Sequence, residues 1–165
     1  MNDIVLEFRQ ILRNALQTLY DKDLILIEHG GMEQACVARL YYYMQKNINN
    51  SVALKRYYLD CEYNKNGERS KRYVDVDTGK HLIARPDIIL HERGTNDCNI
   101  AVVEFKGWWN SERQSDIKKL IAFTDMEGLY RYMVGMFVNL KKSSCLIEMF
   151  VNKQSVSLET ITFGA

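Results

Sequence analysis

The stretch NIAVVEFKG, residues 99–107, constrains the fold more than any other part of the chain. It is almost continuously apolar, as a strand covered on both faces is, yet it carries two opposite charges, Glu104 and Lys106. Side chains alternate along a strand. Ile100, Val102, Glu104 and Lys106 therefore share one face, and Ala101, Val103 and Phe105 share the other. Both charged groups stand in line with core residues. Burying an unpaired ion costs several kcal/mol even after relaxation, so these groups need partners, solvent or a metal, and the strand is expected to end in a cleft.

A second carboxylate interrupts the preceding apolar run. Asp87 follows Pro86 and precedes Ile88-Ile89-Leu90, and a polar loop over Gly94–Asp97 leads back to the long strand. Hairpin pairing of the two runs brings Asp87 and Glu104 together. Glu33 is a third acid, heading a helical stripe formed by Val37, Leu40 and Met44. Carboxylates gathered this way repel one another and raise at least one pKa, and a divalent cation relieves the conflict. Mg²⁺ suits such a set, because it takes oxygen ligands at about 2.0–2.1 Å and prefers one or two carboxylates plus water and phosphate. Lys106 is placed to orient or activate water and to offset charge developing on phosphate.

The remaining pattern predicts an α/β fold with a mixed central β-sheet flanked by helices. Ile4, Val5, Phe8, Ile11, Leu12, Ala15, Leu16 and Leu19 recur at helical spacing behind Asn2 and Asp3 as N-caps, and a second helix is read from Met32 to about Lys46. Tyr58–Tyr63 alternates as a strand entering a hairpin at Asn66-Gly67, Asp77-Thr78-Gly79 marks a turn, and His81–His91 contains another strand. Ser111 with Gln114 reads as a capping box for a helix with an Ile117, Leu120, Ile121 stripe, ending near Thr124. Strand signals return at Tyr130–Val138 and Cys145–Val151, and Val156–Phe163 reads as an edge strand or a short helix.

Composition narrows the partners. A chain of 165 residues, 47% hydrophobic and 26% charged, buries roughly 70% of its unfolded surface as one domain, which excludes disorder and a two-domain enzyme. One proline and no Gly/Ser linker offer no boundary within 1–165. The net charge of +1 creates no global field towards nucleic acid or acidic lipid. No apolar run approaches ~20 residues, and MNDIVLEFRQ carries charges where a secretion signal is apolar, so no membrane partner and a cytoplasmic location are expected. Cys36, Cys61, Cys98 and Cys145 form no CxxC and read as reduced, buried thiols. His29, His81 and His91 lack ligand spacing, and Asp75–Gly79 fails as an EF-hand loop and reads as a turn. Tyr41, Tyr42 and Tyr43 surround a helix, so at least one must leave the core.

Pro86-Asp87, sixteen intervening residues, then Glu104-Phe105-Lys106 resembles the signature of the PD-(D/E)XK nuclease superfamily, the restriction-endonuclease-like phosphodiesterases. The resemblance runs from Glu33 to about Val138, and Asp116 with Lys119-Leu120 is similar to the start of the helix that follows the motif in small bacterial members. It implies a restriction-endonuclease-like core. In such enzymes the Asp and Glu bind Mg²⁺, for which Mn²⁺ can substitute, the Lys positions water, and a Glu on the preceding helix completes the metal site. Those roles fall on Asp87, Glu104, Lys106 and Glu33. The substrate so implied is nucleic acid, DNA ahead of RNA, and the setting is bacterial DNA repair, restriction or defence against mobile elements.

A near-neutral chain needs local basic groups for phosphate, from Lys55, Arg56, Arg113, Lys118 and Lys119, or a homodimer that doubles them. Trp108 could stack on bases, but with Trp109 it better suits core packing or a dimer contact. Other readings remain open beside the nuclease: Glu104 and Lys106 as an exposed pair worth ~0–1 kcal/mol, Asp87 as a turn residue, Glu33 as a favourable charge at a helix start. At the level of the whole protein the rivals are a catalytically silent module for protein association or nucleic-acid binding, and an enzyme using its acids without metal.

Overall fold

The computed structural model describes residues 2–164. Helix α1 (Asp3–Lys22) begins where Asn2 Oδ1 accepts a hydrogen bond from the Ile4 amide at 3.0 Å, satisfying one of the amides left free at a helix start. A short helix α2 (Leu24–Glu28) leads to α3 (Glu33–Asn50). The inward faces of α1 and α3, including Phe8, Leu12, Leu16, Leu40 and Met44, pack together over one face of a sheet.

That sheet is built from β1 (Tyr58–Cys61), β6 (Ile88–His91), β7 (Asn99–Gly107), β8 (Val134–Leu140), β9 (Ser144–Val151) and β10 (Gln154–Thr162), in that spatial order. Two small hairpins lie outside it: β2 (Lys65–Asn66) with β3 (Arg69–Ser70), and β4 (Arg72–Val74) with β5 (His81–Ile83). Only β7 and β8 run parallel in the six-stranded sheet, and the connection between them carries α4 (Gln114–Phe123), as a parallel crossover requires. Helix α4 covers the opposite face, where Leu120 and Phe123 meet Ile89, Val102, Phe137 and Phe150. The result is a mixed sheet between two helical layers, an α/β architecture as the sequence predicts. No helix among the described residues is long and apolar enough to cross a membrane.

Several local expectations are corrected. Strand β1 does not enter a hairpin at Asn66-Gly67; it pairs antiparallel with β6, Tyr58 opposite His91, and Asn66-Gly67 closes the separate β2–β3 hairpin. The His81–His91 segment is two strands, because Pro86 lacks an amide hydrogen and breaks the ladder. Ser111 forms no capping box. Glu112 Oε1 instead accepts from the amides of Gln114 and Ser115 at 3.1 and 3.4 Å. The buried stripe of α4 is Asp116, Leu120 and Phe123, offset from the Ile117, Leu120, Ile121 stripe read from the sequence. An irregularity in the β6–β7 register between Leu90 and His91 leaves Ile100 in the core under α1 and α3 rather than on the α4 face. Cys36 and Cys145 are buried free thiols, but Cys61 is exposed and Cys98 half-buried. The last segment is the edge strand β10, and Tyr42 is the tyrosine of its trio that faces solvent.

Candidate functional site

The long strand and its neighbour set the site. In the antiparallel β6–β7 pair Ile88 lies opposite Val103, so one step further Asp87 stands opposite Glu104. Asp87 Oδ2 accepts a hydrogen bond from the Phe105 amide at 2.7 Å, which ties the carboxylate across the ladder at its end. Burial pushes the Asp87 carboxyl up to about 6, against that bond and the nearby lysines. Glu104 is buried in full, and burial holds its carboxyl well above the usual range although Lys119 opposes the shift.

Helix α4 brings the next pair. Asp116 and Lys119 sit three residues apart, so both project from one face towards β7. The Lys119 ammonium lies 2.9 Å from Glu104 Oε1 and 3.1 Å from Asp116 Oδ1. Lys106 reaches Asp116 Oδ2 at 3.0 Å and Glu33 Oε1 at 3.1 Å, and Glu33 Oε2 accepts from the Gly107 amide at 3.3 Å. The first residue of α3, the ends of β6 and β7, and the first turns of α4 thus deliver Glu33, Asp87, Glu104 and Asp116 together with Lys106 and Lys119. Burial works against the Lys106 ammonium, but Asp116 and Glu33 outweigh it and hold its pKa above that of ordinary lysine.

Two oxygens in this network have unspent lone pairs. Among the described residues Glu104 Oε1 and Asp116 Oδ2 are buried and meet the Lys119 and Lys106 ammonium groups at 2.9 and 3.0 Å as ion pairs without a well-formed hydrogen bond. Oxygens of this kind suit a hard cation such as Mg²⁺ in chemistry. In arrangement the lysines bridge the acids, and among the described residues no three of His, Cys, Asp and Glu close around a common point. Asp87 and Glu33 face a cleft of about 290 Å³ that Arg85 also lines.

The end of β7 is shaped by an aromatic pair. Trp109 lies across Gly107 so closely that a Cβ there would meet its ring at 2.2 Å, and Trp109 packs into the core under α1 and α3. Trp108 is half exposed; its indole donates to the Ile27 carbonyl at 2.8 Å, and the Lys142 ammonium lies 4.7 Å above its ring. Beside it a depression of about 450 Å³ is bordered by Asn139, Lys141 and Lys142.

The other basic candidates are dispersed. Arg113 pairs with Glu148 at 3.0 Å, and Lys118 pairs with Asp75 and Asp77 at 2.9 and 2.6 Å. Asp75 also accepts from the Asp77 and Thr78 amides, a local turn rather than an ion loop. Lys55 and Arg56 are exposed between α3 and β1. Lys119 belongs to the interior network. Sequence reasoning missed Asp116 as a member of the site, and Arg85, Lys141 and Lys142 as charges beside it. Asp116, three residues before Lys119 and four before Leu120, had a legible signal: an acid in register with the buried stripe of its helix. No protein-family model matches the chain, and no curated protein is significantly similar to it.

Proposed function

We propose that the protein is a nuclease, an Mg²⁺-dependent phosphodiesterase that hydrolyses DNA, with RNA the less favoured substrate. The observation that carries this reading is Asp87 opposite Glu104 where two buried strands end, with the charged Lys106 two residues further along β7. Asp87 and Glu104 would hold the cation, Mg²⁺ or Mn²⁺, and Glu33 would complete the set. The ion supplies a Lewis acid for phosphoryl oxygens and lowers the pKa of a water molecule. The chain's own part is electrostatic and positional. Lys106, anchored by Glu33 and Asp116, presents an ammonium that aligns water and offsets charge developing on phosphate. Lys119 screens the repulsion between Glu104 and Asp116. Arg85 in the cleft of Asp87 and Glu33, and Trp108, Lys141 and Lys142 around the separate depression past the end of β7, are groups that suit a nucleic-acid backbone and its bases. A homodimer and a cytoplasmic location belong to the same proposal.

Incubation of plasmid, linear and single-stranded DNA with Mg²⁺ or Mn²⁺ tests it. Cutting is expected from the wild type and a loss of about 100-fold or more from Glu104→Ala and Lys106→Ala, the scale of removing a charge-stabilising group. Undiminished cutting by both variants contradicts the assignment.

One observation favours a second reading. Lys106 and Lys119 already neutralise part of the acid cluster, so a silent module for protein association or nucleic-acid binding could keep this geometry without a cation. A protein that binds metal only when folded gains about 1.4 kcal/mol at ten times Kd, so a flat thermal titration with both ions favours the module.

A further inference from the structure

The opposite end of β6 holds a second cleft, of about 280 Å³. It is lined by Tyr63, Lys65, Asn66, Lys71, His91 and Asn96, with glycines and Thr95 completing the rim and no carboxylate among its lining residues. Lys71 is its unusual member. The residue is 2% exposed, its contact is with the cleft, and among the described residues no ion pair or hydrogen bond engages its ammonium. It is held only by ring faces, at 4.8 Å from the Tyr130 centroid, 5.6 Å from Tyr63 and 6.0 Å from Tyr132.

The surroundings are built rather than accidental. The Tyr130 hydroxyl accepts from the Arg72 amide at 2.8 Å and its carbonyl accepts from Asn99 at 2.6 Å, which fixes the ring nearest the ammonium. Asn96 donates to Asn66 at 3.0 Å, joining the hairpin turn to the loop after β6 and closing the rim. The Tyr132 hydroxyl is buried with no partner among the described residues. Asp60, opposite β6, is already occupied by His91 at 2.9 Å and by Arg93. Cation–π contacts return ~2 kcal/mol when desolvated, less than the several kcal/mol of burying the ion, so the ammonium lacks a counter-charge.

We propose that this cleft binds a phosphate group, with Lys71 at its floor and Lys65 and the Asn66 amide at its rim. A phosphate offers several acceptor oxygens, enough for Lys71, Lys65 and Asn66 together, and Lys gives it a compact point charge. The cleft exceeds the volume of the bare anion, and the Tyr63 ring at its wall suits a nucleoside attached to it. Burial alone lowers the Lys71 ammonium to about 8, and a bound anion would reverse that shift.

Calorimetric titration in metal-free buffer at matched ionic strength tests the site, with inorganic phosphate and a deoxynucleoside 5′-monophosphate as probes. Saturable one-site binding is expected, weakened about tenfold or more in Lys71→Met, the scale of one charge-assisted contact, and less in Lys65→Ala. Tighter binding of the nucleotide than of phosphate assigns the group to a nucleotide, and equal binding assigns it to free phosphate; both support the site. No binding, or equal binding by wild type and both variants, overturns it. Lys65 is exposed, so that variant keeps the test decisive if Lys71→Met does not fold.

Discussion

Two groups of buried charge flank β6, and they are solved in opposite ways. At one end Glu33, Asp87, Glu104 and Asp116 are interleaved with Lys106 and Lys119, so almost every charge has an opposite one within ion-pair distance. At the other, Lys71 is enclosed by three tyrosine rings, with no counter-charge among the described residues. The first arrangement is a network in which each ion depends on its neighbours. The second is a single ion whose cost the fold carries alone. Removing a charge should therefore weaken the protein at the first place and strengthen it at the second.

The largest expected effect comes from unpairing Glu104. Lys119→Met leaves its carboxylate buried without an ammonium, and chemical denaturation should show a loss of about 3 kcal/mol, moderated by protonation of Glu104. The double variant Glu104→Gln with Lys119→Met should recover much of that loss, the coupling expected of contacting residues. Additive losses would dissolve the contrast.

Lys71→Met should act in the other direction. The folded chain holds the Lys71 ammonium at about 8 against an ordinary 10.5, so between these values the unfolded chain binds more protons and wild-type stability rises with pH. Below pH 8 the variant is expected to be more stable, on the order of 3 kcal/mol at most, and the gap should close as pH approaches 10.5. Denaturation of both proteins across that range checks this, and a pH-independent gap would contradict it. The smallest effect belongs to Tyr132→Phe, which deletes a buried hydroxyl without a partner and should leave the melting temperature unchanged or raise it by the equivalent of at most ~1 kcal/mol.

The acid-rich end was largely legible because strands report their own geometry. Period two puts Glu104 and Lys106 on one face, and hairpin pairing of the two apolar runs brings Asp87 to Glu104, as the register has it. Helix α4 was harder. Ile117 and Ile121 draw the stripe away from Asp116 and Phe123, so the sequence offers Lys119 to phosphate near the cleft, whereas tertiary packing turns it inward onto Glu104. The capping box failed for a similar reason: Glu112, one residue past Ser111, reaches the free amides instead. The Lys71 enclosure had no local signal. Its rings come from residues 63, 130 and 132, brought together only when the hairpins close over α4 and β8.

Diffraction from crystals soaked in Mn²⁺ decides whether the acids at the ends of β6 and β7 form a cation site. The account predicts an anomalous peak contacted by Asp87 and Glu104 in the wild type and none in Glu104→Ala. A clean map with Lys106 and Lys119 still bridging the acids in the presence of the ion would contradict it.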